Sequence, residues 1–321
     1  MSNLVSYLFE TNALRICPDN KPFWYTSGKI GPYYINTHFL YGSEQDAVDL
    51  LEFVDYEKQD KENLPKKVFE KTFEHYEQNE IYKNVINEMI NFIKQNINID
   101  EFDYISGGER RDWFFSNIVA NKLGKPHITI YKDLSMVIND SKFEYTIEKS
   151  NVKNAKVLHI ADLITEASSY LRAWIPAIQS LGAQIVWSTV VVDRMQGGKE
   201  KLENANVKSL SMINIDEKLF EKALSMNIIN DTQFEMLKNF YENPDETMRK
   251  FLIEHPEFLE NALVSDEKTA SRAKLCIDSN LYNLWEKRGQ SPFFSLHECF
   301  VCSVAFIYIK FACYFIWWMH W

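Results

Sequence analysis

The spacing of apolar residues along the chain changes twice. Between residues 44 and 97 they recur at helical intervals: Leu50, Leu51 and Val54, then Val68, Phe69 and Phe73, then Val85, Ile86, Met89, Ile90 and Ile93. A polar linker, Glu57–Lys67, separates the first two groups and contains Pro65. From about residue 102 short apolar runs alternate with amphipathic segments. The runs Asp103–Ser106, His127–Tyr131, Phe143–Ile147, Lys156–Ala161, Gln184–Val192 and Val207–Ile213 predict five or six strands. Trp113–Leu123 reads as a helix closed by Gly124, with Pro126 just beyond. Ser168–Leu181 reads as another, closed by Gly182, with Pro176 expected to kink or split it. Gln184–Val192 is apolar almost throughout, as in a strand covered on both faces. This alternation implies an α/β fold with a largely parallel sheet. Helical spacing returns over 215–288, broken at Pro244 and Pro256.

Composition narrows the function classes. The chain has 321 residues and a formal net charge of −10, which argues against a broad nucleic-acid footprint. Small anions stay open, because local donors bind them. Five cysteines, an odd number, form no evident disulfide framework, so a cytoplasmic location is expected. Met1–Glu10 lacks the pattern of a signal peptide. Residues 291–321 differ: Cys299–Trp321 is apolar enough for a span, but Lys310 in its middle costs about 2.5–3.5 kcal/mol. The expectation is a foreign, frameshifted or poorly ordered appendage, with a membrane anchor the second choice. Cys299 and Cys302 have no second ligand pair, so zinc is discounted.

In parallel α/β sheets ligands sit beyond the carboxyl ends of the strands, so the loops after each strand matter most. After Lys156–Ala161 come Asp162, Leu163, Ile164, Thr165, Glu166, Ala167, Ser168 and Ser169, opening a helix. Small hydroxyl residues at a helix start make an anion cradle, and Asp162 can accept bonds from ribose hydroxyls. Read alone, Thr165 or Ser168 is more simply a helix N-cap. After Asp103–Ser106 come Gly107, Gly108, Glu109, Arg110, Arg111 and Asp112. The glycines permit positive φ or close approach of a ligand. Two arginines at a helix start oppose the dipole unless an anion is bound or Glu109 or Asp112 pairs with them. After Gln184–Val192, Arg194 can grip a carboxylate or phosphate, or pair with Asp193. Lys132, beside Asp133, is a pyrophosphate contact or half of a solvated pair. Tyr25–Asn36 is a dense aromatic turn that fits a lid over a flat ring, or the edge of a core.

The order of these segments is more specific than any one of them. Ser27-Gly28-Lys29-x-x-Pro32-Tyr33-Tyr34 resembles the Ser-Gly-Arg-x-Ser-Pro-Tyr opening motif of orotate phosphoribosyltransferases, within the type I phosphoribosyltransferase family. Val157–Ser169 resembles that family's phosphoribosyl-pyrophosphate motif, and Val190–Arg194 with Gly197 and Gly198 resembles the later strand whose Arg helps hold orotate. The resemblance covers about residues 13–43 and 102–213. It implies a doubly wound core over 101–214, an N-terminal hood over 1–43, and helical additions over 44–100 and 215–290. It implies transfer of ribose 5-phosphate from phosphoribosyl pyrophosphate to a nucleobase such as orotate, in pyrimidine biosynthesis, with Mg²⁺ riding on the donor. A homodimer is implied as well. Carried over, Asp162 faces the ribose diol, and Thr165, Glu166, Ala167, Ser168 and Ser169 cradle the 5-phosphate. Arg110, Arg111 and Lys132 neutralise pyrophosphate, while Arg194, Tyr34 and Ile35 hold the base.

The chain departs from the pattern at defined places. Ala161 replaces the first acid of the usual pair, Ala167 and Ser168 replace loop glycines, and Thr26 stands where a Lys is common. Asp133–Asp140 contains neither the Lys nor the His of the loop that normally closes over pyrophosphate. The expected alternative is therefore a catalytically degenerate regulator of the same fold that binds a phosphoribosyl or nucleotide ligand.

Overall fold

Buried on both faces, the apolar runs Lys156–Ile164 and Gln184–Asp193 become two inner strands of a six-stranded sheet. The computed structural model describes residues 3–18 and 21–284. In chain order it begins with α1 (Leu4–Glu10), β1 (Leu14–Ile16), β2 (Phe23–Trp24), β3 (Ile30–Gly31) and β4 (Tyr33–Ile35). Three helices follow: α2 (Glu44–Glu57), α3 (Leu64–Gln78) and α4 (Glu80–Asn96). The α/β part runs β5 (Tyr104–Gly108), α5 (Trp113–Leu123), β6 (His127–Ile130), β7 (Met136–Asn139) and β8 (Lys156–Ile164). It continues with α6 (Ile175–Ser180), β9 (Gln184–Asp193), α7 (Gly198–Asn204) and β10 (Lys208–Asn214). Helices α8 (Glu217–Ser225), α9 (Asp231–Glu242), α10 (Pro244–Glu254), α11 (Pro256–Leu263) and α12 (Glu267–Asp278) follow. The tail 291–321, with Cys299, Cys302 and Lys310, lies outside the described residues.

The described residues divide into two compact units. One is drawn from Met1–Phe23 and Pro32–Glu242, the other from Trp24–Gly31 and Asn243–Trp321. In the first, the sheet order is β10-β9-β8-β5-β6-β7. All neighbours are parallel except the β6–β7 pair. The chain moves outward from β5 through β6 to β7, then returns to lay β8 against the other side of β5. Strand order therefore reverses between β5 and β8, and a crevice opens beyond their carboxyl ends. Ile128, Ile130, Val157, Ile178, Val190 and Leu202 belong to the buried core around the sheet.

In the second unit Tyr25 N–H donates to Lys29 O at 2.8 Å, closing a hairpin. The Tyr282 hydroxyl accepts from Ile30 N–H at 2.7 Å, and Trp24 stacks on Phe258 at 5.5 Å. The Ser27-Gly28-Lys29 part of the opening motif thus belongs with α10–α12, and Pro32–Ile35 with the sheet.

One sequence expectation changes, and another takes a particular form. Phe143–Ile147 is not a strand; Asn139 and Thr146 make an isolated bridge, and the edge strand is Met136–Asn139 instead. The cause is Asp140, whose carboxylate accepts from the N–H groups of Lys142, Glu144 and Tyr145 and curls the chain. Phe143 takes φ 58° and buries its ring against Phe69 at 4.4 Å. Pro176 splits the predicted helix, as expected, into a π turn and a short α-helix. Lacking an N–H, it is preceded by a π turn, Tyr170–Trp174, in which Ile175 N–H reaches Tyr170 O. Helix α6 then carries Pro176 in its first turn.

Gly124 closes α5 at φ 66° with its N–H on Asn121 O, and no atom would touch an added Cβ. Gly124→Ala is therefore a purely conformational change. It is expected to lower unfolding stability by about 1 kcal/mol, read as a lower urea midpoint at unchanged slope.

Candidate functional site

The carboxyl ends of β5 and β8 open into a cavity of about 570 Å³. Its walls are Glu109–Asp112 after β5, Lys132 after β6, and Ala161–Tyr170 at the end of β8, with Trp174 behind them. The structure thus brings together Asp162, Thr165, Glu166, Ala167, Ser168, Ser169, Arg110, Arg111 and Lys132. Arg194, Tyr34 and Ile35 are not among the lining residues. The Arg194 guanidinium lies 5.6 Å from the Tyr33 ring, and the Tyr34 ring packs near Arg15 and Phe23.

Two glycines shape the floor, though not through positive φ or an approaching ligand. A Cβ on Gly107 would lie 2.3 Å from Ser116 Oγ, and one on Gly108 would lie 2.3 Å from the Trp174 ring. They make room for side chains. The π turn is what aims Trp174 at Gly108, so the Pro176 signal and the Gly-Gly signal belong to one device.

Asp112 locks the two strand tips together. One carboxylate oxygen accepts from Gly108 N–H at 2.9 Å and the other from Asp162 N–H at 3.0 Å. Asp162 is itself buried, and burial pushes its carboxyl up to about 7, with the neighbouring Asp112 charge adding to the rise and Arg111 opposing it. Two acids side by side cannot both ionise cheaply.

The cations differ in their freedom. Arg110 pairs with Asp55 on α2 and also reaches Leu51 O, so neither Glu109 nor Asp112 is its partner. Arg111 is exposed and makes no ion pair among the described residues. Its charge is near enough to His38 to help hold that buried imidazole down to about 3, behind desolvation. Lys132 is positioned by its N–H, which donates to the Glu109 carboxylate at 2.9 Å. Asp133 pairs with Lys61 rather than Lys132.

The loop after β8 lines the same cavity. Neither Thr165 nor Ser168 caps the following turn, and the N–H groups of Thr165–Ser169 find no carbonyl or side-chain acceptor among the described residues. Unpaired amides at a helix start are donors for an anion. Ala167 is buried at φ 56°, a conformation that costs an Ala roughly 1–2 kcal/mol. Glu166 is turned to Lys201 on α7 at 3.0 Å, which offsets its charge beside the loop.

Sequence reasoning missed Asp112 as a site residue, along with Tyr170 and Trp174. Asp112 is four residues beyond Gly108, the spacing of a side chain that folds back on its own loop, and that was the available signal.

A doubly wound sheet with a cavity at its switch point defines the fold class, an α/β protein. Comparisons narrow it. No family model matches the chain. Orotate phosphoribosyltransferase of Sulfurisphaera tokodaii is 28% identical over 218 residues, covering 68% of this chain and 88% of that protein. The Listeria monocytogenes orotate phosphoribosyltransferase is 33% identical over 131 residues, 38% of this chain and 62% of that enzyme. Among solved structures, Leishmania donovani UMP synthase superposes with a TM-score of 0.51 at 19% identity, over 75% of this chain and 41% of that longer one. The chain is similar in sequence to orotate phosphoribosyltransferases and shares its fold with a solved UMP synthase.

Proposed function

We propose that this protein transfers ribose 5-phosphate from phosphoribosyl pyrophosphate to a nucleobase, with orotate the first candidate acceptor. The observation that carries this reading is the convergence of Asp162, Arg111 and the unpaired amides of Thr165–Ser169 on one cavity. The amides and hydroxyls of Thr165, Ser168 and Ser169 hold the 5-phosphate. Asp162 accepts hydrogen bonds from the ribose diol. Arg111, Lys132 and, less freely, Arg110 balance the pyrophosphate. In the reaction the bond from ribose C1 to the pyrophosphate oxygen breaks, a bond from C1 to a base nitrogen forms, and that nitrogen loses its proton to water. The protein contributes position and charge complementarity as the sugar becomes cationic and pyrophosphate leaves.

Among the described residues no three His, Cys, Asp or Glu gather to cage a metal. The Asp162 carboxylate does suit a hard cation brought in on the donor. Such Mg²⁺ would add charge neutralisation at the departing pyrophosphate, and Asp162 is the residue that would help hold it. We place Arg194 with the backbone at Tyr34 and Ile35 on the acceptor side, and we take the chain to be a cytoplasmic homodimer. Among the described residues no helix is long and apolar enough to cross a membrane.

The full-length protein incubated with phosphoribosyl pyrophosphate, Mg²⁺ and orotate should release pyrophosphate and form the nucleotide. Saturable donor binding without turnover on orotate, adenine or other bases would replace this reading by a ligand-binding role. Neither binding nor turnover would end it. Arginine substitutions separate the two cations. Arg111→Ala is expected to weaken donor affinity ~10–100-fold in calorimetry, since a hydrogen bond to a charged group is worth about 1.5–3 kcal/mol. Arg110→Ala, already committed to Asp55, should change affinity several-fold less.

A further inference from the structure

Two hydroxyl residues, Ser188 and Thr189, interrupt the apolar run of β9, and the proposed chemistry makes no use of either. Ser188 is fully buried, and its register partner on β8 is His159. Its Oγ lies 2.6 Å from the hydroxyl of Tyr170, the first residue of the π turn. Tyr170 is itself buried, lines the cavity, and meets the His159 ring edge-on at 4.8 Å. Its carbonyl accepts from Ile175 N–H, the bond that closes the π turn. Side chain and backbone of this residue are therefore both fixed, one to the sheet and the other to the turn.

What Tyr170 fixes is the end of the loop after β8. Ser168 and Ser169 are exposed, and they stand between two buried residues, Ala167 and Tyr170. Ala167 O accepts from Leu171 N–H at 3.1 Å, so the loop's last turn closes across Tyr170. The start of the loop is held by α7 instead: a Cβ on Gly198 would lie 2.6 Å from Thr165 O, and Glu166 pairs with Lys201. A phenol hydroxyl in a dry interior needs a partner. Ser188 supplies that partner at one depth in the sheet, so the bond pins the ring at one height. Apolar packing by itself has no preferred direction and sets no such height, whereas a hydrogen bond does.

Resting on the phosphoribosyl-transfer reading, we propose that Tyr170 is a positioning residue for the donor: its bond to Ser188 sets where the amides and hydroxyls of Ser168 and Ser169 meet the 5-phosphate. The latch acts on the phosphate end of the cavity. Arg111 and Lys132 reach the same cavity from the loops after β5 and β6, and their placement does not pass through it.

The test is calorimetry on the full-length protein at one pH with two probes, ribose 5-phosphate and inorganic pyrophosphate. Tyr170→Phe keeps the ring and removes the hydroxyl, while Ser188→Ala removes its partner. Each should weaken ribose 5-phosphate about tenfold while pyrophosphate affinity moves less than about twofold. The double variant leaves neither hydroxyl without a partner, so it should bind ribose 5-phosphate no more weakly than the weaker single variant. With phosphoribosyl pyrophosphate, Mg²⁺ and orotate, the loss should fall on KM for the donor and not on kcat. Equal weakening of both probes, ribose 5-phosphate bound as in the wild type, or additive losses in the double variant would reduce the bond to packing and overturn the proposal. A wild type that binds no ribose 5-phosphate would instead end the phosphoribosyl reading, and the latch with it. Where the wild type binds this probe without turnover, the two affinities decide alone.

Discussion

Asp162→Asn is expected to cut kcat/KM by roughly 10²–10³ while making the protein more stable at pH 8. The loss of rate follows from charge. Asparagine keeps the shape but can no longer stabilise a sugar that gains positive character as pyrophosphate departs. The gain in stability follows from burial. The Asp162 carboxyl titrates near 7 in the fold because burial and Asp112 both disfavour its ionised form. In the unfolded chain it ionises near the ordinary carboxylate value. A group whose folded value is raised contributes fully at low pH, and that contribution is lost as pH climbs through the folded value. Wild-type stability should therefore fall between about pH 4 and 7 through this group, and the asparagine variant should lack that part of the fall. At pH 8 the variant should be on the order of 2 kcal/mol more stable by urea unfolding. The same carboxyl predicts an acidic limb near pH 7 in wild-type turnover, since the ionised form accepts the ribose hydroxyls. A variant that is inactive and also less stable at pH 8 would contradict the burial argument.

Trp174→Ala is expected to cost about 3–5 kcal/mol, because a nearly buried ring is removed from the floor of the site. Gly108→Ala should also destabilise, since its new methyl would lie 2.3 Å from that ring and the indole is too rigid to step aside. The two effects share one space, so they should not add. Combined with Trp174→Leu, the alanine at 108 should cost at least ~1 kcal/mol less than it does alone. Additive losses in a double-mutant cycle would show that Gly108 is constrained by something other than Trp174. Donor affinity should fall along with stability in Trp174→Ala, because the ring lines the same cavity as Asp162 and Ser169.

Most of the sheet was legible because its strands announce themselves by two-sided burial. Lys156–Ala161 and Gln184–Val192 are runs that only a covered strand accommodates, and both are found as inner strands. Phe143–Ile147 has the same apolar character but sits beside Asp140, whose carboxylate captures three amides and forbids extension. Periodicity does not register such side-chain bonds. The pocket's outline was readable from loops following strands, which is why nine of the residues named in advance line it. Asp112 was legible only in part: its four-residue spacing from Gly108 is local, but its bond across to Asp162 N–H is a tertiary relation that no spacing encodes. Tyr170 and Trp174 were hidden in an apparently ordinary helix, and the π turn that redirects them depends on one missing N–H at Pro176.

The turn joining β6 to β7 spans Tyr131–Ser135, and Lys61 grips both Asp133 and Ser135 from the segment before α3. A hairpin this short and this tethered has no reach to fold over a departing anion. Turnover should then be insensitive to solvent viscosity, with bond cleavage and not flap movement setting the pace. Bulk water would also compete with the acceptor for the sugar cation, leaving a slow hydrolytic leak of the donor whenever no base is bound.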